Sequence, residues 1–181
     1  MRRTAFSVLA LSAALLSLPA LAQDSAAAAV GLGGCGDPTV KFNVKQSSGQ
    51  DPAQPEAGKA LVFFIEKDTN LGDLTAPTTK AGIDGKWMGA THGESHFYFS
   101  VDPGVHHLCA ITQFGWPQGG AETALAHFTA EAGGVYYFEV KTIVYRWNAY
   151  QSSEASLFPL DSDEGLYLTT MTSPVTSRVK K

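Results

Sequence analysis

Short apolar segments separated by tight turns constrain the fold of this chain more than any other feature of its sequence. Residues 60–65 form a continuous apolar run bounded by charge, which is typical of a central strand. Phe97, Phe99 and Val101 alternate with polar neighbours, as in a strand with one buried face. Asp-Gly at 84–85 and Asp-Pro-Gly at 102–104 suit tight turns, because proline fixes φ and glycine accepts a positive φ.

This pattern predicts a mainly β fold, an antiparallel β-sandwich of about eight strands with one short C-terminal helix. An up-and-down β-barrel of the lipocalin kind is the alternative. The helix follows Asp161 or Ser162 as a cap, with Asp163 and Glu164 at the positive end of its dipole, although Gly165 lowers its helix propensity. We expect one domain over residues 39–170 and a flexible tail over 171–181.

The N-terminus has the three parts of a cleavable secretory leader. Arg2 and Arg3 precede an apolar run over residues 5–18, and small residues at 20 and 22 stand just before Gln23. Residues 1–22 are therefore predicted to be a signal peptide, followed by a flexible linker over 23–38. The expected location is periplasmic or extracellular. No later apolar stretch is long enough to cross a membrane, which takes about 20 residues.

The charge distribution argues against nucleic acid as a partner. The formal net charge is −4, and the one short basic segment, residues 178–181, falls in the predicted tail. Proteins that bind nucleic acid carry a clustered basic face, and the sequence shows none.

The two cysteines, Cys35 and Cys109, predict one disulfide in an oxidising compartment. Closing a loop of this length stabilises a fold by about 4 kcal/mol in the chain-entropy model. The alternative is a lipid anchor at Cys35, because Leu-Gly-Gly-Cys at 32–35 is similar to the box before the lipidated cysteine of bacterial lipoproteins. That box normally ends the apolar run, whereas here a polar and alanine-rich segment intervenes.

Five segments in the middle of the chain resemble a known family: GKALVFFI at 58–65, IDGKWMG at 83–89, GESHFYF at 93–99, VDPGVHHLC at 101–109 and FTAEAGGVYYF at 128–138. Their order is similar to that in the bacterial secreted and lipoprotein proteins grouped as the domain of unknown function family 2846. The resemblance implies a small extracytoplasmic β domain, sometimes lipid-anchored, with no established activity and no catalytic residues to carry over.

One constellation has the residue types of a metal site. His92, Glu94 and His96 alternate, so a strand would place them on one face, and two imidazoles with a carboxylate suit an open zinc site. Gly93 indicates a turn, which would separate the three side chains. We therefore predict no metal and no other cofactor, with these three residues as the metal-ligand candidates.

Five aromatic residues are the candidates for a binding surface. Phe114 and Trp116 fall in a glycine-rich loop, while Tyr145, Trp147 and Tyr150 surround a predicted strand end. Exposed aromatic rings at the end of a sandwich stack on sugars or anchor a protein partner. The alternative is that these rings cover the ends of the core.

The sequence thus favours a non-catalytic envelope or periplasmic β domain that binds a protein, glycan or lipid surface through loop aromatics. One alternative is a membrane-anchored structural or accessory lipoprotein. The other is a metal- or Ser-dependent hydrolase. The serine of such a hydrolase would be Ser95. The segment around Ser95 differs from a nucleophile elbow because Phe97 occupies the last glycine position.

Overall fold

The computed structural model describes residues 35–49, 51–52, 54–67, 77–113, 121–147 and 150–181. The predicted signal peptide and residues 23–34 of the predicted linker lie outside the described residues. The described part contains ten strands and one helix: β1 (Phe42–Gln46), β2 (Ala60–Glu66), β3 (Thr78–Ile83), β4 (Lys86–His92), β5 (Ser95–Val101), β6 (Gly104–Gln113), β7 (Ala121–Ala130), β8 (Val135–Trp147), β9 (Tyr150–Leu160), α1 (Ser162–Met171) and β10 (Ser173–Val179).

The strands form two sheets, which confirms the predicted β-sandwich. The six-stranded sheet has the order β1-β10-β5-β2-β8-β9, and the four-stranded sheet has the order β4-β3-β6-β7. They do not close into a barrel, so the alternative of an up-and-down barrel is wrong. The sheets are not purely antiparallel, because β2 pairs with β8 and β5 pairs with β10 in parallel. Among the described residues, no helix has the length and apolar character needed to cross a membrane.

Strand β2 is apolar throughout because both of its faces are buried. Val62 and Phe64 pack between the two sheets, in a core that includes Leu108 of β6. Phe63 and Ile65 point to the other face, where Leu168 of α1 covers them. Burying side chains of this size contributes about 1.5–3 kcal/mol each, so β2 is the centre of the fold.

Helix α1 begins where the sequence predicts. The side chain of Asp161, the N-cap, accepts a hydrogen bond from the backbone N–H of Glu164 at 2.9 Å. Gly165 is buried against the ring of Tyr137, and a Cβ there would lie 2.6 Å from the Cβ of Tyr137. The glycine that weakens the helix locally therefore lets the helix approach β8 closely.

The prediction of a flexible tail over residues 171–181 is wrong. Residues 173–179 form β10, which pairs with the whole of β1 in antiparallel fashion and buries Val175 in the core. Its pairing with β5 is limited to Ser173 opposite Ser95 and Pro174 opposite His96. A cleft therefore opens where β5 and β10 diverge.

Candidate functional site

The three metal-ligand candidates do not come together. His92 ends β4 and is exposed, while Glu94 lies in the bend before β5 and forms an exposed ion pair with a lysine at 3.1 Å. His96 is buried on β5. Gly93 has a φ of 66°, so the chain turns between His92 and Glu94 and separates the side chains. The described residues contain no group of three His, Cys, Asp or Glu suited to a metal ion.

His96 instead belongs to a chain of polar side chains beside α1. Its Nε2 lies 2.9 Å from Oδ2 of Asp51, and its Nδ1 lies 2.7 Å from Oγ1 of Thr172. The hydroxyl of Thr172, at the C-cap of α1, also donates to the carbonyl of Leu168 at 2.8 Å. These contacts tie residues 51–52, β5 and the end of α1 together.

The order of carboxylate, imidazole and hydroxyl is that of a nucleophilic triad, but the hydroxyl does not face a substrate space. Asp51, His96 and Tyr98 line the cleft between β5 and β10, which has a volume of about 280 Å³. Thr172 is buried and is not part of that lining. Ser95, the serine of the hydrolase hypothesis, is buried as well, and its hydroxyl accepts from a backbone N–H of β4. We therefore assign the triad a structural role.

A buried carboxyl lies between the sheets, where β2 ends. Oε1 of Glu66 accepts a hydrogen bond from Thr79 at 2.9 Å, and Oε2 has no hydrogen-bond partner among the residues that the structure describes. The hydroxyls of Thr79, Thr112 and Thr142 continue the cluster, with 3.1 Å between neighbours. Burial raises the pKa of Glu66 to about 7, and the hydroxyls of Thr91 and Thr79 act in the opposite direction. The residue is 1% exposed, so this acid has no access to a substrate.

A histidine ties the β3–β4 turn to β6. Nδ1 of His106 lies 2.6 Å from the carboxylate of Asp84, and its Nε2 lies 2.7 Å from the carbonyl of Asp102. Burial lowers the pKa of His106. The hydrogen bonds to the Asp84 carboxylate and the Asp102 carbonyl, together with the negative charges of both aspartates, act in the opposite direction, and the pKa is raised overall.

The predicted disulfide is present between Cys35 and Cys109, with a Cα–Cα distance of 5.1 Å. Both cysteines are buried and pack with Ile111 and the half-buried Trp87 on the outer face of the four-stranded sheet. The sulfur of Cys35 is bonded to Cys109, so in this structure it cannot also carry a lipid. The lipid-anchor alternative at Cys35 is therefore incompatible with this structure.

Residues 35–40, the first that the structure describes, are held against that sheet by a buried lysine. Nζ of Lys80 donates to the carbonyls of Pro38 and Val40 at 3.3 and 3.0 Å, and it lies 4.3 Å from the ring centroid of Trp87. Burial lowers the pKa of Lys80, while the charge of Asp37 opposes the change. The predicted linker is thus part of the packed domain from Cys35 onwards.

The predicted aromatic surface is described only in part. Phe114 and Trp116 lie outside the described residues. Tyr145, Trp147 and Tyr150 are on the hairpin of β8 and β9, and the register pairs Trp147 with Tyr150. Tyr145 is 51% exposed.

The hairpin carries an exposed apolar stripe, which we call the hairpin face: Ile143, Tyr145 and Phe158. Each of these side chains is about half exposed, at 52%, 51% and 45%. They share one side, because Ile143 and Tyr145 are two positions apart and Phe158 is opposite Glu139 in the register. Strand β2 pairs with β8 over Val135–Val140 only, so the hairpin extends beyond it. The stripe is about 20 Å long at the rise of a strand.

Helix α1 adds apolar surface on the same side of the sheet. Leu166, Tyr167 and Met171 are 55%, 59% and 48% exposed, while Gly165 and Leu168 face the sheet. Exposed acidic residues stand beside these apolar groups: Glu154 on β9, and Asp161, Asp163 and Glu164 at the start of α1. This side of the molecule therefore combines apolar groups with negative charge.

Sequence reasoning identified Tyr145 but missed Ile143 and Phe158. The signal was available in the alternation of residues 136–140, which continues to Ile143 and Tyr145 as the outward positions. Phe158 carries no such signal, because its side of β9 is set by pairing with β8.

Comparisons of this chain with protein-family models, with curated proteins and with solved structures found no match. The resemblance to the domain of unknown function family 2846 therefore stays a prediction.

Proposed function

We propose that this protein is an exported, non-catalytic binding domain that contacts another protein of the bacterial envelope through the hairpin face. The observation that carries the proposal is the exposure of Ile143, Tyr145 and Phe158 on one side of a projecting hairpin. Large exposed apolar side chains on one side of a protein mark interaction surfaces, and aromatic anchors contribute most of the binding energy of such surfaces.

A protein partner fits this surface better than a glycan or a lipid bilayer. Sugars stack on aromatic rings, whereas Ile143, Leu166 and Met171 offer aliphatic groups instead. An anionic bilayer would be repelled by the acidic groups at Glu154 and at the start of α1. The same charges favour a partner with a basic rim around an apolar centre.

The proposal includes export. The leader in the sequence predicts export, and the Cys35–Cys109 disulfide is compatible with it. Membership of the domain of unknown function family 2846 is also part of the proposal, and that family implies no activity. Intact mass measurement of the protein made in a bacterial host tests export. We expect a mass that begins at Gln23, allowing for pyroglutamate, and a mass that still includes Met1 would contradict it.

Photo-crosslinking in the envelope tests the surface. A photoreactive amino acid at Ile143 or Tyr145 should crosslink to one protein species, whereas the same group at Lys86, exposed at the start of β4, should not. Adding Phe158→Ser should abolish the adducts without unfolding the protein, because Phe158 is exposed. Equal crosslinking from Lys86, adducts with lipid alone, or adducts only with a second copy of this chain would contradict the proposal.

A further inference from the structure

A second surface is formed where β1 and β10 pair, and it is strongly basic. The register places Asn43 opposite Arg178 and Lys45 opposite Thr176, and the backbone N–H of Lys180 donates to the carbonyl of Lys41 at 2.8 Å. Positions 41, 43 and 45 therefore share one side with 176, 178 and 180. We call this side the basic ribbon, defined by Lys41, Lys45, Arg178 and Lys180.

The ribbon faces outward because its other side packs on the sandwich. Val175 is buried in the core and Val44 packs against it. All four cationic side chains of the ribbon are exposed, and within the described ranges none of them forms an ion pair. Asn43, Lys45, Thr176 and Arg178 together line a shallow depression of about 230 Å³.

The positive charge of the ribbon is local to it. Residues 38–50 and 165–181 contain no Asp or Glu, whereas the whole chain has a formal net charge of −4. Four exposed cations at neighbouring positions create a positive potential that attracts anions.

We propose that the basic ribbon binds the anionic headgroups of a phospholipid membrane surface. Arginine and lysine are the side chains that bind phosphate, with Asn43 and Thr176 adding hydrogen-bonding groups between them. The Cys35–Cys109 disulfide is compatible with an exported protein, which would meet the phospholipid surfaces of the envelope. The ribbon also lacks an aromatic residue at positions 41, 43, 45, 176, 178 and 180, on which a single-stranded nucleic acid would stack.

Vesicle sedimentation of the full chain tests this inference. Vesicles of phosphatidylglycerol and phosphatidylcholine in equal parts should bind the protein at about 50 mM salt and release it at about 500 mM, whereas pure phosphatidylcholine should not bind. Lys45→Gln with Arg178→Gln should weaken binding about thirtyfold, since each charge near an anionic membrane contributes about fivefold. The matched control, Lys59→Gln with Lys86→Gln, removes the same charge elsewhere and should change binding much less.

Three results would overturn the inference: equal binding to neutral vesicles, equal losses in the ribbon and control variants, or tighter binding to duplex DNA than to anionic vesicles at the same phosphate concentration and salt. Circular dichroism shows whether each variant is folded, and Lys41→Gln with Lys180→Gln repeats the test at the other end of the ribbon. Tyr145→Ser on the hairpin face should leave vesicle binding unchanged, so the ribbon and the proposed protein-binding surface are tested separately.

Discussion

Replacing Glu66 with glutamine should stabilise the protein at neutral and alkaline pH and have little effect in acid. The carboxyl is 1% exposed, and burial raises its pKa from 4.5 to about 7 in the folded protein. The groups that face it from β3 and β4 are the hydroxyls of Thr79 and Thr91, which carry no charge. A neutral amide in its place keeps an acceptor for Thr79 and removes the buried charge.

The sign follows from proton linkage. Below the unfolded pKa of 4.5 both states are protonated, and the carboxyl does not oppose folding. As the pH rises towards about 7, the unfolded state loses its proton first, so the free energy of unfolding falls. The loss amounts to about 3 kcal/mol above pH 7, because each pKa unit corresponds to about 1.4 kcal/mol. Glu66→Gln should recover about 2–3 kcal/mol of it, less the cost of a new amide N–H without a partner.

Urea unfolding of both proteins at about pH 4, 6 and 8 measures this effect, since the difference between them cancels the titration of all other groups. The difference should grow with pH in favour of the variant. Glu131→Gln, which makes the same change at an exposed carboxyl beyond β7, should not reproduce this growth. A difference between Glu66→Gln and the parent that stays constant across this pH range would show that Glu66 does not titrate as a buried acid.

Three further changes have expected outcomes. Gly165→Ala should lower the free energy of unfolding by about 1–3 kcal/mol in urea titrations, because its Cβ has no room against β8, whereas a stabilised protein would show that the helix shifts freely. Replacing Cys35 and Cys109 by serine should lower the free energy of unfolding by about 4 kcal/mol in the chain-entropy model. The parent should react with alkylating agents only after reduction, and reaction without reduction would contradict the disulfide. Asp84→Asn should lower the pKa of His106 in an NMR titration. The stability that this histidine adds below its unfolded pKa of 6.5 should then decrease. An unchanged titration would contradict the role of Asp84 in raising this pKa.

Local signals in the sequence were sufficient for the turns and the helix. Asp84 and Gly85 have φ values of 48° and 81°, as the predicted β3–β4 turn requires. Helix α1 begins after the predicted cap, Asp161. These features depend on residues within a few positions of one another, so the sequence states them directly.

Features made by pairing distant strands could not be predicted in this way. Strand β10 has a single buried residue, Val175, and its two serines and one threonine are equally typical of a loop. The basic ribbon exists only because Lys45 and Arg178 meet across the β1–β10 pair, so a search for basic clusters along the chain does not find it. The partner of His96 was missed for the same reason, since Asp51 comes from a segment without regular structure.

The pairing of β1 with β10 also affects when the sheet is able to form. Phe42 is opposite Val179, so the first and last strands of the described chain are neighbours, and β10 separates β1 from the rest of its sheet. Contacts between such distant residues form late and slow folding, because a long loop must close before they contribute. Until residues 173–179 are present, β1 has no strand partner in this sheet. A chain that is synthesised or translocated from its N-terminus therefore keeps this sheet open until residues 173–179 have emerged.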